Sequence, residues 1–398
     1  MPAVCFYFQV HQPRRVKRYR IFDIGQDREY FNDQSESKLN NKKIVEKVAS
    51  KSYLPANSVM LDLLNHYPDF KISYSLSGVF LDQLLEFSPE TLDSFKRLVD
   101  TGQVELMSET FYHSLSFIYS KPEFRRQVEM HSDLIKDIFG VRPKVFRNTE
   151  LIYNNSVAEE AEKMGFDGIL AEGADQILGW RSPNFIYKPP KTKRIKLLLK
   201  NYRLSDDIAF RFSSRQWSEF PLKADKFAHW VSAVNGSGDL VNLFMDYETF
   251  GEHQWEDTGI FNFLRNLPEE ICRHPDNHFV TPSEAVKRYK SVAELDVPNF
   301  ISWADVERDL SAWLENPMQQ DAIKKIYEIE NDVIESGDQK LIEDWRRLQT
   351  SDHFYYMCTK WWNDGDVHKY FNPYESPYEA FISYMNVLHD MKLRLKAN

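Results

Sequence analysis

Hydrophobic positions follow two patterns along this chain, and the pattern changes near residue 295. Before it, short dense apolar runs alternate with segments of helical spacing. Ala3–Val10 is apolar and aromatic almost throughout, and the runs at 70–76, 103–107, 166–170, 195–200, 208–212, 239–245 and 279–281 have the same character. Runs of this kind predict strands of a parallel sheet buried on both sides. Between them, 57–66, Gly78–Phe87, 89–100, 122–139, 155–164, 224–234 and 258–267 predict helices. Ser88 with Pro89 opens one helix, Gly140 ends another, and Ser283 is the expected cap of a helix at 284–289. Strand–helix alternation is the signature of a parallel α/β fold, here with roughly seven strands. Residues 14–50 are rich in Arg, Lys, Asp and Asn and lack clean periodicity. They predict a long excursion where the strands end, with a helix near 42–49.

Beyond Trp303 the pattern is helical, at 319–335, 339–349, 352–362 and 376–395. Two regions are expected: a barrel over 1–300 and an α-helical region over 301–398 packed on it. The length of 398 residues suits one barrel plus a smaller addition. A net charge of −10 argues against nucleic acid or an anionic membrane as partner, and no apolar run is long enough to span a bilayer. Aromatics at 14% suit either a sugar-binding cleft or a large core. The three cysteines, Cys5, Cys272 and Cys358, form no C-x-x-C pair, and the chain opens directly into a strand. A reducing, cytoplasmic setting is the expectation. Neither a cofactor nor a metal is expected, and oligomeric state is not legible.

The candidate chemistry sits where apolar runs end. The run at 239–245 stops on Asp246, Glu248, Glu252 and His253, with Gly251 allowing a sharp turn. If the strand continued, Asp246 and Glu248 would share a face. A second short apolar run, after Pro143, ends on Arg147-Asn148-Thr149-Glu150. Carboxylates at the C-terminal ends of two barrel strands are the minimum equipment for glycoside hydrolysis: one attacks or stabilises the sugar cation, the other gives and takes a proton.

The ordered motifs His11-Gln12-Pro13, Gly102-Gln103-Val104-Glu105 with His113 behind it, Phe146-Arg147-Asn148-Thr149-Glu150, Met245-Asp246-Tyr247-Glu248-Thr249-Phe250-Gly251 and the looser Ser351-Asp352-His353 resemble those of glycoside hydrolase family 57, most closely its α-amylase group. The resemblance implies an incomplete (β/α)7 TIM-like barrel with a C-terminal helical region contributing to the cleft. It implies an α-1,4-glucan of the starch or glycogen type as substrate, retention of configuration, Glu150 as nucleophile and Asp246 as acid/base. It gives His11 a role at the sugar hydroxyls. Glu105, His113, Glu248, His253, Asp352 and His353 join it as candidate substrate-binding residues. For Glu105 a place in a structural ion pair is the competing reading. For Asp352 it is a helix cap, and for Trp180, in a Gly/Pro loop, a lid anchor rather than a sugar platform. Trp313, Trp361 and Trp362 read more readily as core.

Three other functions compete. A 4-α-glucanotransferase would use the same intermediate. A non-catalytic glucan-binding protein would keep the fold without needing Glu150 and Asp246, both present here. A metal-dependent carbohydrate deacetylase would need clustered histidines, and the eleven here are scattered, with no H-x-x-x-H pair on one helical face.

Overall fold

The computed structural model describes residues 2–31, 33–35, 38–360 and 367–397. Eight strands appear among them: β1 Ala3–Val10, β2 Ile72–Leu76, β3 Val104–Leu106, β4 Val145–Arg147, β5 Gly168–Glu172, β6 Lys196–Lys200, β7 Leu240–Asp246 and β8 His278–Phe279. All pairings between them are parallel, in the orders β3-β2-β1-β7 and β4-β5-β6, with β8 on β1. β1 is buried along its whole length. It is the central strand. β7 covers one of its edges from Ala3 to Gln9, β2 covers the other from Phe6 onward, and β8 takes the remaining Ala3–Val4. Cys5 lies within it as a small buried side chain.

The two sheets approach at two seams. At one, Ser108 beyond β3 bridges Phe146 of β4. At the other, the Asn201 N–H donates to the Asn242 carbonyl (2.9 Å), and the Asn242 side chain donates to the Leu199 carbonyl (2.9 Å). The first seven strands therefore follow one another around an incomplete (β/α)7 barrel, and their C-terminal ends share one face.

Helices lie outside the sheets, and their ends follow local rules. In the helix Lys121–Phe139, the Ser120 side chain accepts from the Glu123 N–H, and Gly140 closes the helix at φ 73°. The helix after β8 is Pro282–Arg288, and its cap is Thr281 in a reciprocal box with Glu284, not Ser283. The strand expected at 208–212 is absent. Tyr202–Ala209 is a helix capped by Asn201. The apolar residues there, Leu204, Ile208 and Phe212, recur every four positions, which is helical spacing.

The excursion holds the helix Asn41–Val48, which runs through a π turn, Ala49–Tyr53, into Leu54–His66. After residue 310 the chain is helical: Ser311–Leu314, Pro317–Glu328, Glu330–Glu335, Gln339–Arg347, Ser351–Tyr355, Val367–Phe371 and Pro377–Ala397. These helices build a second apolar core that also takes in Val16, Tyr19, Tyr30, Phe31 and Leu39 of the excursion. Trp313 is buried in that core, while Trp361 and Trp362 lie outside the described residues. No helix among the described residues is long and apolar enough to cross a membrane.

Candidate active site

Four strand ends converge on one cluster. β1 delivers His11, the turn after β3 delivers Glu109 and His113, the turn after β4 delivers Glu150, and β7 ends on Asp246. The helix Ser351–Tyr355 adds Ser351 and Asp352 from the C-terminal region. Three residues here adopt the left-handed backbone region without being glycine: His113 (φ 51°), Glu150 (φ 57°) and Leu151 (φ 50°). Each costs roughly 1–3 kcal/mol and persists only where its surroundings impose it. For Glu150 these surroundings are visible. Trp303 donates its backbone N–H to the Glu150 carbonyl (3.3 Å), and Tyr153 and Ile301 exchange two backbone hydrogen bonds of 2.9 Å just beyond.

The Glu150 carboxylate is saturated with donors. The Trp303 indole N–H donates to Oε2 (2.8 Å), the Ser351 hydroxyl donates to Oε1 (3.0 Å), and His113 Nε2 lies 3.4 Å from Oε1. Burial opposes its ionisation, but the His113 contact and the charges of His113 and Arg147 outweigh burial and hold its pKa below the ordinary value. Asp246 is its opposite. Among the described residues, no side chain hydrogen-bonds its carboxyl. Burial, then the charge of Glu150, push its pKa up. One carboxyl is held ionised and the other is biased toward the acid form, which is the pairing that retaining glycoside hydrolysis uses.

Around them the histidines divide the labour. His113 Nδ1 bonds Glu109 Oε2 (2.7 Å). Burial would lower its pKa, but its bonds to Glu109 and Glu150 raise it to about 9. Glu109 also accepts from Gln9 Nε2 (3.1 Å) and from the Ser75 hydroxyl. Burial opposes its ionisation, but the His113 bond and the charges of His113, Arg147 and His131 hold it far below the carboxylate range. His11 lies 3.0 Å from Asp352 Oδ2 through Nε2 and 2.7 Å from Ser77 Oγ through Nδ1. Burial and the neighbouring His113 charge lower its pKa. Burial opposes ionisation of Asp352, but contact with His11 and the charges of His113 and Arg15 keep it charged. Among the described residues, no group of three His, Cys, Asp or Glu side chains is placed to hold a metal ion.

Several expected residues stand elsewhere. Glu105 is the middle residue of β3, short of the strand end, and accepts from the Ser283 N–H (2.8 Å) and the Ser283 hydroxyl at the start of a helix. Four residues later, Glu109 reaches the cluster in its place. Glu248 does not continue the face of Asp246, because the strand ends at Asp246 and Tyr247–Thr249 is a 3-10 turn. Its buried carboxyl accepts from the Tyr53 hydroxyl, and burial followed by the Asp246 charge raises its pKa.

His353 points into the second core, where Nε2 bonds the Arg347 carbonyl (3.1 Å) and the ring meets Tyr384 (centroids 5.9 Å apart). Its neighbour Asp352 faces the cluster and meets His11, because successive helical residues point about 100° apart. His253 packs on Phe371, at 5.4 Å between ring centroids, and burial lowers its pKa to about 4. Trp180 is 89% exposed, with the Arg181 guanidinium 5.3 Å from its ring centroid, and it touches none of the cluster. Sequence reasoning did not assign Glu109, Ser351 or Trp303 to the site. Glu109 had a local signal in its four-residue spacing from His113, and Ser351 in its place at the head of the Ser351-Asp352-His353 motif; Trp303 had none.

Comparison with known proteins agrees with this architecture. Residues 5–298 match the family model described as glycosyl hydrolase family 57. A protein of Methanocaldococcus jannaschii, provisionally named an alpha-amylase, is 45% identical over 99% of this chain and 85% of its own length. Among solved structures, a branching enzyme of this family from Thermococcus kodakaraensis superposes with a TM-score of 0.68, covering 93% of this chain and 87% of that one at 14% identity. An alpha-amylase from Thermotoga maritima gives 0.62, covering 100% and 94% at 11% identity. At such identities the structural likeness concerns the fold alone; the sequence match carries the assignment, and the chain belongs to glycosyl hydrolase family 57.

Proposed function

We propose that this protein is a retaining glycoside hydrolase acting on α-1,4-glucans of the starch or glycogen type, with Glu150 as nucleophile and Asp246 as acid/base. The observation that carries this reading is the asymmetry of the two carboxyls. Glu150 is fixed by Trp303, Ser351 and His113 and held ionised, whereas no side chain among the described residues hydrogen-bonds the Asp246 carboxyl, which is biased toward its acid form.

In the first step, a Glu150 oxygen bonds to the anomeric carbon as the bond to the leaving glycosidic oxygen breaks. Asp246 transfers its proton to that oxygen. Asp246 is then a carboxylate. In the second step it takes a proton from water, whose oxygen bonds to the anomeric carbon and releases Glu150. Two inversions leave the configuration unchanged. His11 and Asp352, facing the same cleft, supply hydrogen-bonding groups for sugar hydroxyls. A sugar hydroxyl in place of water would turn the same intermediate to transfer.

The test is incubation with soluble starch, with product analysis by chain length and anomeric form. Shorter maltooligosaccharides released first as the α-anomer support hydrolysis with retention. Redistribution of chain lengths without a gain in reducing ends favours transfer. Glu150→Gln keeps the side-chain shape but cannot form the glycosyl ester, so turnover should fall by roughly 10³-fold or more with little change in glucan affinity. A wild type as inert as the variant, binding glucan equally well, would leave a binding protein.

A further inference from the structure

We propose that Arg147 is a positioning residue: from the end of β4 it holds the Trp303 indole, and through that indole the Glu150 carboxylate, in the orientation required for attack. The inference rests on Glu150 being the nucleophile proposed above. Arg147 is fully buried, and none of its guanidinium nitrogens has a hydrogen-bond partner among the described residues. A buried cation in that state needs a reason, because removing charge from water is costly unless something replaces the lost hydration.

The carboxylates nearby do not bond it. Glu109 accepts from Gln9, Ser75 and His113, and Glu150 from Trp303 and Ser351. Arg147 instead has its guanidinium carbon 4.9 Å from the centroid of the Trp303 ring. A guanidinium suits such a place, being planar, weakly hydrated and able to stack on an aromatic face. The Lys200 ammonium lies 5.5 Å from the centroid of the same ring. The indole thus receives two cations on its π system while its N–H points to Glu150 Oε2 at 2.8 Å. Its backbone N–H meets the Glu150 carbonyl at 3.3 Å, so Trp303 grips the strained residue from two sides.

The charge of Arg147 also reaches both reacting carboxyls, lowering the pKa of each, together with those of Glu109 and Tyr7. The other charged or titratable groups facing Glu150 are His113, Asp246, Asp352 and Tyr355. Those facing Asp246 are Glu150, Lys200, His113, Glu248 and Tyr7. Loss of Arg147 should therefore do two separable things: free the indole, and move both carboxyls toward their acid forms.

The experiment compares wild type, R147Q, R147K and W303F by kcat and KM on soluble α-glucan across pH, with crystal structures of the Arg147 variants. R147Q should lower kcat/KM by about tenfold or more, mainly through kcat, and shift both limbs of the bell-shaped pH profile upward. R147K should restore the limbs but not the full rate, since an ammonium keeps the charge and loses the planar stack. W303F should raise the acidic limb alone, by removing one donor to Glu150.

A purely structural role would lower folded yield or Tm while leaving both limbs in place, and that result for R147Q would overturn the inference. Should R147Q fail to fold, W303F with wild-type limbs and rate overturns it equally. A crystal structure of R147Q or R147K with the indole still donating to Glu150 would overturn it whatever the kinetics. A wild type inert on every α-glucan would instead remove the functional reading, and the crystal structures would still judge the position of the indole.

Discussion

The imidazole of His113 lies face to face with that of His11, the ring centroids 4.0 Å apart and the planes 19° from parallel. Two cations could not stack this way, and the surroundings assign the charge to one ring. His113 is flanked by Glu109 and Glu150, and its pKa of about 9 keeps it protonated at neutral pH. Burial and the charge of His113 lower the pKa of His11, which favours the neutral ring, and in that form Nε2–H donates to Asp352 and Nδ1 accepts from the Ser77 hydroxyl. Exchanging the charge would put a cation between Ser77 and Asp352 and take the charged imidazole away from Glu150 Oε1.

The first prediction is a stability loss in mild alkali. His113 binds its proton more tightly folded, near 9, than unfolded, near about 6.5. Its contribution, on the order of 3 kcal/mol, is therefore complete below about pH 6.5 and disappears as pH rises through 9. Denaturant midpoints measured from pH 6 to 10 should fall across that window in wild type, and His113→Gln should flatten the fall. An equal slope in both proteins would show that His113 titrates elsewhere.

Glu109 and Glu105 should separate function from support. Glu109→Gln removes the charge that keeps His113 protonated, and with it a charge-assisted contact to Glu150. At about 1.5–3 kcal/mol for such a bond, kcat/KM should fall about 10- to 100-fold, with KM much less affected. Glu105→Gln weakens contacts with Ser283 and Thr281, away from the cluster. It should lower Tm by a few degrees and leave kcat/KM within about twofold of wild type. The reverse ranking in steady-state kinetics would return Glu105 to the site.

That contrast shows where the sequence speaks and where it falls silent. The apolar runs of β1 and β7 announce buried parallel strands, and each ends on a side chain of the candidate site because the run itself stops there. β3 is only Val104–Leu106, and the chain continues extended through Ser108 before turning. Nothing local distinguishes a carboxylate inside such a strand from one four residues past it, so Glu105 was expected where Glu109 stands. Helical spacing at 204–212 was masked by the density of apolar residues. Trp303 is 153 residues from Glu150 and Ser351 is 201 away, so only the closed fold brings them together. The burial of Arg147 is equally invisible, since an arginine at a strand end ordinarily reaches solvent.

The sharpest prediction concerns which carboxyl handles the proton. Asp246→Asn can neither give nor take one. Natural glucans need a proton on the leaving oxygen, so their turnover should fall by roughly 10³-fold. An activated aryl glucoside leaves without a proton, so its first step should survive. Glycosyl-enzyme then accumulates, because no base remains to activate water, and a burst of phenol should precede slow turnover. Azide needs no base to attack the anomeric carbon, so adding it should raise the slow rate and give a glucosyl azide of the α configuration. Glu248 is the rival, buried beside Asp246 with its pKa also raised. Its carboxyl is engaged by Tyr53 away from the strand end, whereas that of Asp246 carries no such bond. Glu248→Gln should therefore weaken binding and rate together, with no azide response. If the burst and the rescue appeared in Glu248→Gln and not in Asp246→Asn, the acid/base role would belong to Glu248.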